Sequence, residues 1–329
     1  MITVVKPGLL TTVQDLGRPG YQQYGIVVGG ALDALAARAA NLILGNTDNA
    51  AVIEMAQTGP ELQFAADTLV AWCGADFDAQ LAGQALPRDR AVRVAAGESI
   101  SFGFPRNGLR AWLAVAGGVD VPLVLGSRST YRRAGIGGHQ GRPLVAGDRL
   151  AISQPPERAV ALMGSLAAAG RRSPAWTVRP ETLGRQAPAG TVRAIRGPEW
   201  AWFTREAQQA FFSAEWEATK EADRMGVRLQ GPALALLKPR EMISSAVNTG
   251  VVQVPSAGQP IVLLPSRQSV GGYPRLAAVA SVDLGRITQL RPGDKVHFQE
   301  IALPLAHELC LARERDLSRI RLGLARQAG

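Results

Sequence analysis

The feature that most constrains this chain is its punctuation: short β-type runs, each closed within a few residues by glycine, proline or asparagine. Thr68–Cys73, Ser99–Phe104 and Arg110–Ala116 in the first half are runs of this kind. Thr191–Ile195, Gly250–Pro255, Ile261–Leu264 and Leu276–Val282 repeat the pattern in the second half. With 36 glycines and 21 prolines, the chain is better suited to many strands joined by turns than to long helices. Two helices interrupt the strands. Asp33 is a good N-cap for Ala34–Leu44, whose apolar residues Leu35, Ala39, Leu42 and Ile43 recur at helical spacing, and Gly45 follows as the stop. A second helix is predicted near Arg205–Phe212, and an amphipathic one after Pro304.

A chain of 329 residues exceeds one ordinary core and predicts two. The strand pattern lapses between Gln154 and about Gly190 into Pro-Pro, Arg-Arg-Ser-Pro and Gln-Ala-Pro-Ala-Gly, which reads as a linker. The expected organisation is therefore residues 1–153 as one β half, 154–190 as linker, 191–303 as a second β half and 304–329 as an arginine-rich helical tail. A faint repeat relates the halves: Thr58–Phe64 resembles Gln230–Leu236, and Ala96–Phe102 resembles Pro292–Phe298.

The formal charge of +9 is carried almost entirely by arginine, since the only lysines are Lys6, Lys220, Lys238 and Lys295. The arginines are scattered and no aromatic residues interleave a basic stripe, so nucleic acid is not an expected partner. Cys73 and Cys310 are too few and too far apart for a disulfide framework. No apolar run approaches the ~18 residues of a membrane span, and Met1–Lys6 opens as a strand rather than a leader. A cytoplasmic protein without a membrane partner is expected. The histidines His139, His297 and His307 are isolated, so no metal centre is expected. There is no Gly-Lys-Ser/Thr phosphate loop, no G-x-S-x-G elbow and no Ala-Met-Lys-Met biotin-attachment motif. The chemistry left open is acid/base work, an arginine clamp, or completion of a partner's site.

Several blocks in one order carry a family resemblance. They begin with Pro7-Gly-Leu-Leu-Thr-Thr-Val-Gln-Asp15-Leu-Gly-Arg18-Pro-Gly-Tyr21 and continue through Gly25–Asp33, Ala40–Asn46, Glu54, Gly59-Pro60, Gly74–Asp76 and Arg110–Gly118. The densest are Leu125-Gly-Ser-Arg-Ser-Thr-Tyr131, Gly137-Gly-His-Gln-Gly-Arg142 and Gly147-Asp148. In the second half Asp223–Gly226, Gly250–Pro255, Gly258–Ile261, Gly271–Pro274 and Gln289–Asp294 agree, with departures at Val227, Ser269-Val270 and Gly285. Together these blocks resemble the biotin-dependent carboxyltransferase family, which includes the C-type components of bacterial 5-oxoprolinase, proteins long called allophanate hydrolase subunit 2, and the carboxyltransferase region of urea carboxylase.

The resemblance implies a mainly β fold of two cyclophilin-like barrel subdomains with a cleft between them. It implies action in a hetero-oligomer with A-type and B-type partner proteins, opening 5-oxoproline to glutamate at the expense of ATP, with no biotin attached to this chain. The alternatives are the carboxyltransferase of a urea carboxylase-like system, its biotin carried on other chains, and a regulatory protein antagonising a kinase inhibitor. Expected site residues are polar positions within the blocks or, for Asp283, beside an apolar strand. Asp15 and His139 are the candidate catalytic groups. Gln14, Arg18, Arg128, Tyr131 and Arg142 are candidate substrate contacts of the first half, with Arg128 and Arg142 as an anion clamp around a glycine-rich loop. Arg224, Gln253, Gln259, Tyr273 and Asp283 are the candidates of the second half.

Overall fold

The computed structural model describes residues 1–326 and shows a mostly β protein with two barrel-like sheets and few helices. Two compact units are formed, the first by Met1–Arg18, Gly29–Leu183 and the residues from Asp316, the second by Pro19–Val28 and Gly184–Arg315.

In the first unit a ten-stranded antiparallel sheet runs in the order Leu10–Gln14, Val52–Ala56, Ser99–Val115, Glu61–Phe64, Ile2–Lys6, Arg149–Ile152, Val119–Asp120. Thr68–Leu81 also pairs with Ser99–Val115 and carries the short strands Gln84–Ala85 and Val92–Val94. The two runs expected at Ser99–Phe104 and Arg110–Ala116 are thus one strand, bent through Gly103 to Gly108, and Thr68–Cys73 continues to Leu81. Their pairing slips register between Gly74 and Ala79, which lets two long strands twist together without losing the ladder. Alternation sets the core of Ile2, Val4, Leu62, Phe64, Trp72, Ile100, Phe102 and Leu113, with Trp72 edge-on to Phe102 at 5.5 Å.

The helix Ala34–Leu44 covers this sheet and has the predicted bounds. Asp33 Oδ1 accepts from the N–H groups of Leu35 and Ala36 at 3.0 and 3.1 Å, and Gly45 leaves the helix in the left-handed region at φ 76°. Ala36, Ala37, Ala39 and Ala40 are buried, and their small side chains allow close approach to the strands. Residues 154–190 are more structured than a linker. Glu157–Ala168 is a helix that buries Ala159 and Leu166, and the chain beyond it bonds Arg93 N–H to Arg172 O at 2.7 Å and Val178 N–H to Asp89 O at 2.8 Å. Flanking prolines and arginines hid an alanine- and leucine-rich helix of ordinary propensity.

The second unit contains a closed seven-stranded barrel in the order Thr191–Arg196, Arg275–Val279, Val251–Gln253, Ile261–Leu263, Gly226–Gln230, Glu215–Ala218, Lys295–Glu300. The last strand closes on Thr191–Arg196 in parallel, while the other pairs are antiparallel. Val192, Trp216, Val227, Leu229, Val252, Val262, Ala277 and Phe298 fill it. The helix Arg205–Ser213, capped by Thr204, lays Phe211 on Phe298 at 4.6 Å. The strand expected to reach Val282 ends at Val279, because the chain turns at Ala280–Asp283 into the short helix Leu284–Thr288. The tail is helical from Leu303 to Arg326, and the last three residues of the expected segment 304–329 lie outside the described residues. No helix among the described residues is long and apolar enough to cross a membrane.

Candidate functional site: the Asp15 hub and the glycine-rich loop

The strand Leu10–Gln14 ends by delivering Gln14, Asp15 and Arg18 under the segment Ser127–Thr130. Asp15 is 2% exposed and its carboxylate is fully engaged. Oδ1 accepts from Ser127 Oγ at 2.6 Å, Ser129 Oγ at 2.5 Å and Gly17 N–H at 2.8 Å, while Oδ2 accepts from Arg128 N–H at 2.6 Å. Asp15 N–H donates in turn to Ser129 Oγ at 2.9 Å. A buried carboxylate with this many donors fixes a loop, because each donor would otherwise lie desolvated without an acceptor. Ser127, Ser129 and Thr130 are not among the residues expected from sequence, where that block's chemistry falls to Arg128 and Tyr131. The legible signal was three hydroxyl residues within four positions, since an ionised aspartate can only accept.

Gln14 and Arg18 are both 0% exposed. Gln14 Nε2 donates to Thr12 Oγ1 at 3.0 Å and to Thr130 O at 3.3 Å, leaving Oε1 buried without a partner. Arg18 Nη2 donates to Ser129 O and Nε to Val124 O at 3.4 Å, leaving Nη1 buried without a partner. Burial pushes the Arg18 guanidinium below its ordinary value, opposed in part by the charge of Asp15.

The glycines of residues 135–141 serve this packing. Gly137 and Gly138 have φ of 68° and 54°. A Cβ on Gly137 would strike Ser129 O and Arg18 Nη2, and one on Gly138 would strike the Thr130 side chain. What the glycine backbone approaches closely is the Ser129–Thr130 segment itself. Arg142 spans Asp148 bidentately, at 2.7 and 2.8 Å, and also reaches Gln140 Oε1 at 2.8 Å. Arg128 bonds Val121 O at 3.0 Å and Asp120 at 3.2 Å. The Arg142 fork is thus held by Asp148, while Arg128 engages Nε and Nη2 with the protein's own acceptors and its side chain stays 31% exposed. His139 Nε2 lies 3.3 Å from Asp148 Oδ1. The bidentate bond from Arg142 holds the Asp148 carboxyl down at about 2. Tyr131 pairs its backbone with Ile136 at the loop's base and is half-buried.

The candidates of the second unit divide between two ends of the barrel. Gln253, Gln259 and Tyr273 share one end. Gln253 Nε2 donates to Tyr273 O at 3.2 Å, and Gln259 mimics a strand by bonding both N–H and C=O of Gly231 at 2.9 and 3.1 Å. Tyr273 borders a cavity of about 660 Å³ lined by Leu234, Leu236, Met242, Val254 and Pro255. At the opposite end, Asp283 is 0% exposed and takes Arg193 through Nε at 2.7 Å, Nη2 at 2.6 Å and the backbone N–H at 2.8 Å. Arg224 sits at that same end, its carbonyl accepting Ser266 N–H at 3.1 Å. Among the described residues no cluster of three or more histidine, cysteine or acidic side chains is placed to hold a metal ion.

This pair of units is that of a known domain class. The chain belongs to the family of the carboxyltransferase domain, subdomain A and B, whose pattern it matches over residues 24–300. Within that family it is 39% identical over 303 residues to the C subunit of 5-oxoprolinase from Escherichia coli (strain K12), covering 92% of each chain. It is 35% identical over 322 residues to the C subunit of 5-oxoprolinase from Haemophilus influenzae, covering 98% of each. The solved urea carboxylase of Kluyveromyces lactis superposes with a TM-score of 0.85 at 28% identity, over 97% of this chain and 29% of that one.

Proposed function

We propose that this chain is the C-type component of an ATP-dependent 5-oxoprolinase, opening 5-oxoproline to L-glutamate together with A-type and B-type partner proteins. The observation that carries the reading is end-to-end agreement with two proteins of that name, 92% and 98% of whose lengths are matched. Ring opening adds water across the lactam C–N bond, and ATP is consumed by the complex; no residue of this chain is assigned to its phosphates. In the first unit we assign substrate contact to Gln14 and Arg18. Their orphaned atoms are an acceptor and a charged donor, and a lactam N–H with a carboxylate supplies the complementary pair. Both atoms are sealed, so contact with substrate requires the packing around them to open. His139 is the second catalytic candidate, on the glycine-rich loop, and Asp15 the group that positions Ser127–Thr130 beneath it.

The test is co-expression with the A- and B-type proteins and an assay of ATP-dependent glutamate release. Activity should require all three chains and fall at least about tenfold in Gln14→Met, with little change in melting temperature. Full activity of the other two chains without this one would overturn the assignment. The match to urea carboxylase favours a second reading, a carboxyltransferase served by biotin on another chain. Urea-dependent bicarbonate incorporation with such a partner would select it.

A further inference from the structure

We infer that Arg267 and Thr249 form an anion site at one end of the closed barrel, taking a carboxylate or phosphate oxygen. The strand Ile261–Leu263 ends there, Gly226–Gln230 and Val251–Gln253 begin there, and the connecting turns pack together. Leu264 N–H bonds Met225 O at 2.8 Å, Ser266 N–H bonds Arg224 O at 3.1 Å, and Arg267 N–H closes a turn on Leu264 O at 2.9 Å. The Arg267 side chain then runs inward and is 5% exposed. Its Nε donates to Val247 O at 3.2 Å and its Nη1 to Thr249 Oγ1 at 2.9 Å.

Both partners are neutral. Burial pushes this guanidinium below its ordinary value, and no neighbouring carboxylate opposes the shift. The same unit treats two other arginines differently, giving Arg193 the carboxylate of Asp283 and Arg275 that of Glu199, each through two bonds. A guanidinium held in place but not neutralised is a costly arrangement that a bound anion relieves. The remaining nitrogen, Nη2, makes no hydrogen bond among the described residues, and it is not among the atoms sealed from the surface. Thr249 Oγ1 accepts from Arg267 and keeps its own hydrogen to donate. One oxyanion oxygen can therefore take Nη2 and the threonine hydroxyl together, a charge-assisted pair set on rigid strand ends. The site was not visible in the sequence, where Arg267 is one arginine among many. It stands independently of the oxoprolinase reading.

The experiment titrates the full chain separately with acetate, 5-oxoproline and inorganic phosphate, following by NMR the backbone amide signals of residues 247–249 and 264–268, which every variant keeps. Saturable shifts with a dissociation constant below about 10 mM are expected from at least one probe. Carboxylate probes that saturate where phosphate does not identify a carboxylate site, and the reverse identifies a phosphoryl site. Arg267→Gln and Thr249→Val should each weaken the binding, the first by at least about tenfold. With no anion added, Arg267→Gln should melt at or near the wild-type temperature, because it removes an uncompensated buried charge. The absence of saturable binding by every probe, or unchanged affinity in both variants, overturns the site. If Arg267→Gln does not fold, Arg267→Lys and Thr249→Val decide the matter by the same titration.

Discussion

Replacing Asp15 with alanine tests whether one carboxylate holds the loop of the first unit. It removes the acceptor for two backbone N–H groups, Gly17 and Arg128, and for two hydroxyls, Ser127 and Ser129. The hydroxyls can turn, so each costs about 0.5–1.5 kcal/mol at most, whereas each stranded N–H costs about 1–3 kcal/mol. Arg18, 0% exposed, also loses the charge that opposes its desolvation. A net loss of about 4 kcal/mol follows, a large share of the ~5–15 kcal/mol that holds a typical domain. Asp15→Asn should lose about half as much, since its oxygen keeps one set of donors while its NH₂ faces an N–H. Equilibrium urea unfolding, read by tryptophan fluorescence and fitted for two units, measures the loss. Adding Arg18→Met to Asp15→Ala should recover part of it, because the stranded charge is gone. A loss below about 1 kcal/mol for Asp15→Ala would refute the hub.

Three further outcomes are expected. Asp148, held at about 2 by Arg142, contributes stability that is complete above its unfolded value near ~3.9 and lost as pH falls through the window between the two, about 2 kcal/mol in all; Asp148→Asn should flatten denaturation midpoints across that window. Asp89 is 3% exposed and burial raises it to about 6. Stability should therefore fall as pH rises from about 4 to 6, and Asp89→Asn should be the more stable protein at pH 7 by chemical denaturation. Asp283→Ala leaves the buried Arg193 guanidinium without its carboxylate and should lower stability by about 3–5 kcal/mol, with lost hydrogen-exchange protection in residues 191–196 and 275–279 as the readout.

Local code was enough for much of this protein. Strand punctuation, the Asp33 and Gly45 caps, the helix Arg205–Ser213 and the amphipathic tail are decided by residues within a turn or two of each other, where propensity and alternation act directly. The ordered blocks from Pro7 to Asp294 likewise carried the family. What only the tertiary structure decided is the use of each polar side chain, since it depends on which acceptor lies within about 3 Å. Arg128, Arg142 and Asp283 stood in the sequence as candidate binding groups, and each bonds a partner that the chain path brings to it, Asp283 one 90 residues away. Gln14 and Arg18 read no differently in sequence, and Arg267 was one arginine among many. Folding leaves each with a polar atom facing no protein partner, because the strands that bury them carry nothing complementary to that position.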